Sequence, residues 1–284
     1  MLSPFLLAFI FLNVIPLFMG IKKAFTSTSD LYKGTFGNFI QIFHDYRFSH
    51  AVQNTLSYLV IALPLLIIFV LTVSLLLDAY PKKWHSYLRL GYLLPGSYVG
   101  AAGILVWYAT TEPIIGPFRS IWHFFGINSN TQIFQPKFLP LVFAIIAIVA
   151  NAGGWIVVMS SSLNDISPEI LEASQIDGCS KFQSALRIKL PMIQKNIIYM
   201  LVLAFSSALQ LFSEPYIINE SILRGLTSNW SLNQFSYNLA FGEGNFSGAL
   251  AVSVLVLSIS LTAAFYLIFK TRFFDMGNFN EKEK

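Results

Sequence analysis

Long stretches without a charged residue alternate with short polar segments along this chain. Six of the stretches are long enough, or nearly so, to cross a hydrocarbon core of about 30 Å at about 1.5 Å per helical residue. They run over 1–21, 48–77, 90–111, 138–164, 196–213 and 244–269. The pattern predicts an all-α membrane protein with six transmembrane helices, forming a single domain over 1–284.

Two further charge-free stretches, 120–136 and 225–242, are dotted with Asn, Gln, Ser and Gly and are interpreted as loops. The first of them contains an expected interfacial helix from Ile121 to Gly126. In the third apolar stretch, Gly96 and Gly100 stand at a GxxxG spacing, which favours close helix packing in lipid.

The composition agrees with a polytopic membrane protein. Of 284 residues, 55% are hydrophobic and only 11% are charged, whereas an average soluble domain has about 25% charged residues. The net charge of +4 is modest and gives no reason to invoke nucleic acid. The single cysteine, Cys179, excludes an intrachain disulfide, and the 4 histidines are too scattered to favour a metal site.

Lys and Arg residues set the orientation, because cytoplasmic loops carry an excess of them. With both termini in the cytoplasm, most of the 18 basic residues lie inside. The inner set is Lys82, Lys83, Arg89, Lys181, Arg187, Lys189, Lys195, Lys270, Arg272, Lys282 and Lys284. The first stretch lacks a basic n-region and a small-residue cleavage site, so we expect a retained helix and not a signal peptide.

The most informative polar segment lies between the fourth and fifth apolar stretches. Its helix start is indicated by an N-cap, a proline at the first helical position and an acidic first turn, at Ser167, Pro168 and Glu169. The helix is predicted to run to about Asp177, where Gly178 supplies a left-handed stop. Ser180 is placed to cap a second short helix, and Pro191 either ends that helix or begins the next segment.

This segment resembles the EAA loop of ABC-importer permeases, the membrane subunits of binding-protein-dependent transporters. The matching residues are Glu172-Ala173-Ser174, Asp177-Gly178-Cys179, Phe182 and Ile188-Lys189-Leu190-Pro191. The alternative is an ordinary cytosolic helix-turn-helix between two spans. The resemblance implies the type I importer fold, with 165–191 as a cytoplasmic coupling loop between helices 4 and 5. It also implies that Glu172 anchors the loop to an ATPase while Asp177 and Gly178 hold the helix break.

The same resemblance implies the partners. They are ATP-binding cassette subunits that use ATP and Mg, an external solute-binding protein, and a second similar permease chain. A heterodimer is the expectation, although the sequence does not exclude a homodimer. The location implied is the bacterial plasma membrane, with the lipid bilayer around the spans.

The chain itself shows no sign of catalysis. It lacks a GxxxxGK[ST] loop, so we expect it to bind no nucleotide of its own. No Ser/His/Asp or Cys/His set is apparent, and the protein is therefore expected not to be an enzyme.

A substrate path is predicted from polar residues within the apolar stretches. Asn151 and Trp155 combine an amide with an indole, which suits a sugar, although Asn151 equally suits a hydrogen bond between helices. Ser206 and Gln210 share one helix face, and Ser213 follows them; this face either lines the path or packs. The run 210–218, QLFSEPYII, resembles permeases of the maltose-transporter type, but the GGP loop of those relatives is missing.

Other functions remain open at this point. An ion-coupled secondary transporter or channel is disfavoured, because no ionisable residue lies inside an apolar stretch away from its ends. A membrane scaffold without transport is the other alternative. For the substrate, low charge favours a sugar or oligosaccharide, with glycerol phosphate or a polyol as further candidates.

Overall fold

The structure, a computed structural model, describes residues 3–26, 34–79, 91–97, 100–221 and 229–270. All regular secondary structure in these ranges is helical. In chain order the α-helices are α1 (Ser3–Ala24), α2 (Gly37–His44), α3 (Tyr46–Ala79), α4 (Ala101–Thr111), α5 (Arg119–Phe124), α6 (Asn130–Ile133), α7 (Leu139–Asn164), α8 (Pro168–Ile176), α9 (Lys181–Ser184), α10 (Leu190–Met192), α11 (Gln194–Leu209), α12 (Ser213–Ser221), α13 (Leu232–Tyr237) and α14 (Phe246–Lys270).

Five helical stretches within the described residues are long and apolar enough to cross a membrane. They are Ser3–Ala24, Tyr46–Ala79, Leu139–Asn164, Gln194–Glu220 and Phe246–Lys270. Their positions agree with five of the six predicted spans. The fourth of them is interrupted, since residues 210–212 between α11 and α12 are not helical.

The third predicted span, 90–111, is not one continuous helix in the residues that the structure describes. A 3₁₀ turn, Leu94–Ser97, precedes the 11-residue helix α4. Pro95 has no N–H to donate, and Gly100 at the N-terminus of α4 has a φ of +80°, so both residues oppose a regular α-helix here.

The two glycines of the GxxxG pattern have different roles. A Cβ on Gly96 would lie 2.9 Å from the Ala150 carbonyl oxygen of α7, so the predicted close packing is confirmed at this residue. A Cβ on Gly100 would meet no atom within 4 Å. The packing prediction is therefore wrong for Gly100. Glycine is favoured at this position because the backbone φ is positive.

The two polar stretches interpreted as loops contain helices. The stretch 120–136 holds α6 and most of α5, and α5 is the helix expected from Ile121 to Gly126. The stretch 225–242 holds α13, followed by a π-helical turn, Asn238–Gly242. The loop interpretation fails there because Ser231 caps the helix and Leu232 and Phe235 are buried, an arrangement that counting polar residues overlooks.

Backbone contacts divide the chain into two compact units. The first comprises Met1–Ser57 and Leu209–Leu261, and the second comprises Tyr58–Ala208 and Thr262–Lys284. The second unit has a buried apolar core formed by α3, α7, α11, the residues just before α8 and the residue between α10 and α11. Its members are Leu66, Val70, Leu77, Ala152, Ile156, Met159, Leu163, Ile166, Ile193 and Met200.

The first unit contains a buried polar contact and a partly exposed group of ion pairs. Asn38 is buried in α2 and donates its amide to the Ala24 carbonyl oxygen at 2.8 Å. Arg47 pairs with both Asp45 and Glu243, and its guanidinium lies 5.5 Å from the Phe235 ring centroid. The hydrogen bonds from Arg47 hold the pKa of the Asp45 carboxyl below its ordinary value.

Candidate functional site

The polar segment between α7 and α11 begins with the predicted helix start. The Ser167 hydroxyl accepts a hydrogen bond from the Glu169 N–H at 3.3 Å, and Pro168 occupies the first position of α8. The helix ends at Ile176, and Gly178 has a φ of +77°. The Cys179 N–H then bonds the Ser174 carbonyl oxygen at 3.0 Å, which closes the C-terminal turn. The predicted helix and its glycine stop are confirmed.

A capping box starts the second helix, as predicted for Ser180. The Ser180 hydroxyl accepts from the Gln183 N–H at 3.2 Å, and the Gln183 side chain accepts from the Ser180 N–H at 2.9 Å. A π-helical turn, Ala185–Lys189, follows α9. The helical stretch runs without a break from Lys181 through the π turn to Met192, and Pro191 lies one residue before its end, so of its two predicted roles it ends this helix.

Exposure divides α8 into an inner and an outer face. Ser174 is only 7% exposed, and its hydroxyl donates to the Leu171 carbonyl oxygen. Glu172, Ala173 and Asp177 are exposed. Two apolar side chains are exposed beside them, because Ile176 is 86% and Phe182 73% accessible. Large exposed apolar residues next to a carboxylate are typical of a surface that contacts another protein.

The inner face packs the segment on the apolar core of the second unit, to which the segment belongs. Ile166 belongs to the buried core, and Leu171 and Leu190 pack against it. Lys189 forms an ion pair with Asp78 near the end of α3, and the Asn196 amide donates to the Ser162 hydroxyl of α7. These contacts join the segment to the apolar helices α3 and α7.

A second feature lies among the apolar helices of the second unit. A cavity of about 210 Å³ is lined by residues of α3, α7 and α11. The lining residues are Tyr58, Ala62, Leu63, Leu66, Ala147, Ile148, Asn151, Trp155, Leu203, Ala204, Ser207 and Ala208. Its walls are mostly apolar, with a phenol, an amide, an indole and a hydroxyl as polar groups.

The cavity brings together two of the predicted path residues. Asn151 and Trp155 are one turn apart on α7, and both line it. The Asn151 amide donates to the Ala147 carbonyl oxygen of its own helix at 2.8 Å. This bond is not the interhelical one that was the alternative role. The Trp155 ring stands nearly perpendicular to the Tyr199 ring, with centroids 5.9 Å apart.

The other predicted path residues are not brought to this cavity. The serine of α11 that lines the cavity is Ser207, and Ser206 beside it is half-buried and not part of the lining. Gln210 and Ser213 belong to the first unit, so their role stays a prediction. Ser207 could have been found by following the small residues Ala204, Ser207 and Ala208, which share one face of a helix.

The comparison with protein families agrees with these features. Residues 35–274 match the family described as "Binding-protein-dependent transport system inner membrane component". The matched range covers most of the chain and includes both the capped polar segment and the cavity. The protein belongs to this family of permeases.

Individual relatives and a solved structure extend over nearly the whole chain. A probable ABC transporter permease, YesP of Bacillus subtilis, is 26% identical over 95% of this chain and 88% of its own. The lactose transport system permease LacF of Rhizobium radiobacter is 25% identical over 85% and 81%. A bacterial ABC transporter that imports the acidic polysaccharide alginate superposes with a TM-score of 0.81 at 21% identity, covering 96% of this chain and 93% of that one.

The family and the fold define the role of the chain in outline. It is a multi-pass membrane protein and the translocation subunit of a binding-protein-dependent importer. Its family is a transport component and not a catalytic subunit.

Proposed function

We propose that this permease moves a sugar or oligosaccharide across the bacterial inner membrane, driven by ATP that separate subunits hydrolyse. The observation that carries the proposal is the capped helix-glycine-helix over 165–191, which offers Glu172, Ile176 and Phe182 outward while its inner face packs on the apolar helices. A chain that must receive mechanical work from a soluble partner needs such a contact.

In this proposal α8 is the coupling helix that lies in a cleft of an ATPase subunit. Glu172 is the anchoring carboxylate and pairs with a cation or a backbone N–H of that subunit. Ala173 and Ser174 have small side chains, which let the helix fit closely into the cleft. Asp177 and Gly178 turn the chain back towards the membrane. Phe182 and Pro191 complete the contact and the return into α11. ATP and Mg bind the partner ATPase.

We propose six membrane crossings with both termini in the cytoplasm. The third crossing is formed by 90–111, where α4 and the 3₁₀ turn before it replace one long helix. Several basic residues that support this orientation, among them Lys82, Arg89 and Arg272, lie outside the described residues.

The proposed sugar path passes the cavity that Asn151, Trp155 and Ser207 line. Amide and hydroxyl groups hydrogen-bond sugar hydroxyls, and an indole packs against the apolar face of a sugar ring. The relatives named for lactose and alginate transport support this class of substrate. An external binding protein delivers the sugar, and a second similar permease chain completes the path as a heterodimer.

The lone thiol tests the orientation and the ATPase contact together. Cys179 lies directly after Gly178 and is partly accessible. A membrane-impermeant maleimide should label it in inverted vesicles and not in intact cells, and the assembled ATPase should slow the labelling. Labelling from outside the cell would overturn the orientation, whereas inner labelling without protection by the ATPase would place the ATPase contact elsewhere.

A further inference from the structure

The ion pair between Asp78 and Lys189 joins two parts of the second unit that lie far apart in sequence. The side chains are separated by 111 positions, and each is only 18% exposed. Asp78 lies in the last turn of the long apolar helix α3, and Lys189 is the last residue of the π-helical turn Ala185–Lys189. The pair therefore connects the inner end of one predicted span to the second half of the coupling loop.

Local backbone geometry determines where Lys189 points. In the π turn the Leu190 N–H bonds the Ala185 carbonyl oxygen, five residues back, which adds a residue to the turn. Single π turns inside helices change the direction of the side chains that follow and are frequent at functional sites. Here the widened turn ends at the lysine that pairs with α3.

The apolar contacts near the pair do not by themselves specify one register. Leu77 of α3, Ile166 and Ile193 belong to the same buried core, and Leu190 packs against it. Apolar burial is non-directional, so this surface alone permits sliding of the loop along α3. A charge-assisted hydrogen bond fixes both the distance and the direction between its two groups. It therefore defines the position of the loop along α3, which the apolar contact does not.

We propose that Asp78 and Lys189 are positioning residues that make α3 follow the coupling loop when the ATPase moves it. This inference rests on the proposed coupling function of α8. Without the pair the loop still docks and the ATPase still turns over, but α3 moves less for each ATP hydrolysed. The pair thus acts on the efficiency of coupling and not on the binding of sugar or of ATP.

Charge reversal gives the most direct test. The whole assembled complex is reconstituted in proteoliposomes, and sugar moved per ATP hydrolysed is measured. Asp78→Asn and Lys189→Gln should each lower this ratio by about fivefold or more, the usual lower range of an allosteric coupling. The exchange Asp78→Lys with Lys189→Asp should restore it to within about twofold, because the attraction is re-formed with its sign reversed. Arg187→Gln, which removes a cation from the same π turn, is the matched control and should leave the ratio unchanged.

Cys179 supplies a second readout that does not depend on transport. It lines a cavity of about 220 Å³ together with Asp78, Lys181 and Lys189. If the pair holds this region closed, each single substitution should speed maleimide labelling of Cys179, and the exchange should slow it again. Equal labelling rates in all variants would show that the pair does not hold the loop against α3.

The neutral double variant separates positioning from folding. Removing one partner leaves the other charge unpaired in a mostly buried place, which alone lowers stability, whereas removing both avoids that cost. Asp78→Asn with Lys189→Gln should therefore accumulate normally and remain poorly coupled. Normal coupling in this double variant, or impaired singles that the exchange fails to rescue, would overturn the inference.

Failure of the broader proposal has a different signature. If Glu172→Ala transports normally, the coupling role of the loop is wrong, whatever the ion-pair variants do. If Glu172→Ala is uncoupled while Asp78→Asn and Lys189→Gln are both normal, only the positioning inference is wrong.

Discussion

Two adjacent glycines of α7 differ in what a methyl group would meet. A Cβ on Gly153 would lie 2.2 Å from the Tyr92 carbonyl oxygen, which is backbone and has little room to move. A Cβ on Gly154 would meet no atom within 4 Å. The sequence alone does not distinguish the two, because the close approach is made by a residue about sixty positions earlier.

This difference gives a prediction for single substitutions. Gly153→Ala should destabilise the protein by about 1–3 kcal/mol, the usual cost of overpacking a tight contact. Gly154→Ala is its matched control and should be close to neutral. The measurement is the temperature at which the detergent-solubilised protein aggregates. Equal aggregation temperatures for the two variants would contradict the close approach of α7 to Tyr92.

Ser206 and Ser207 provide a second test at the level of single residues. Only Ser207 lines the cavity with Asn151 and Trp155. In a Cys179→Ser background, Ser207→Cys should react with a small water-soluble thiol reagent, and transported sugar should slow the reaction. Ser206→Cys should react more slowly and without protection by sugar. Protection at 206 instead of 207 would favour the face predicted from sequence.

The accuracy of sequence reasoning depended on how local each interaction is. The start, glycine stop and second cap of the polar segment over 165–191 involve residues two to five positions apart, so the chain order already specifies them. The five long apolar helices follow from continuous stretches. The break of the third span was missed, because hydropathy averages over the backbone effects of Pro95 and Gly100.

Contacts between distant segments were not predictable in this way. The cavity depends on which faces of α3, α7 and α11 meet, and a single position along α11 separates Ser206 from Ser207. The pairing of Asp78 with Lys189 could not be predicted from the sequence either. Both residues belong to polar segments, and these segments predict only a cytoplasmic location.

At the level of the loop, glycine is required at position 178 because of its backbone conformation and not because a side chain would clash. Its φ is +77°, and a Cβ there would meet no atom within 4 Å. Gly178→Ala should therefore strain the turn by about 1–2 kcal/mol and shift α8, lowering the uptake rate. Gly178→Asn is the matched control and should retain more activity, because asparagine adopts this conformation more readily. Similar uptake in both variants would argue against a role for the left-handed turn.

For the whole molecule, the question is whether work done in a separate ATPase reaches the translocation path through α8. Glu172 and Glu169 carry the same charge on the same helix, and both are exposed. Glu169 lies in the first turn, where it interacts with the helix dipole, whereas Glu172 lies nearer the middle. Only Glu172 is the anchoring carboxylate of the proposed ATPase contact, so the two residues separate a specific contact from a general effect of charge.

In the assembled complex, Glu172→Ala should lower sugar uptake at least about tenfold, because loss of a charge-assisted contact at an interface typically costs more than about 1.4 kcal/mol. The basal ATPase activity and the amount of permease in the membrane should stay normal. Glu169→Ala should transport at close to the normal rate. Equal loss in both variants would indicate that the charge of α8 matters and not the contact at Glu172. Normal uptake in Glu172→Ala would remove the loop from the coupling path, and the energy for transport would then have to enter elsewhere in the chain.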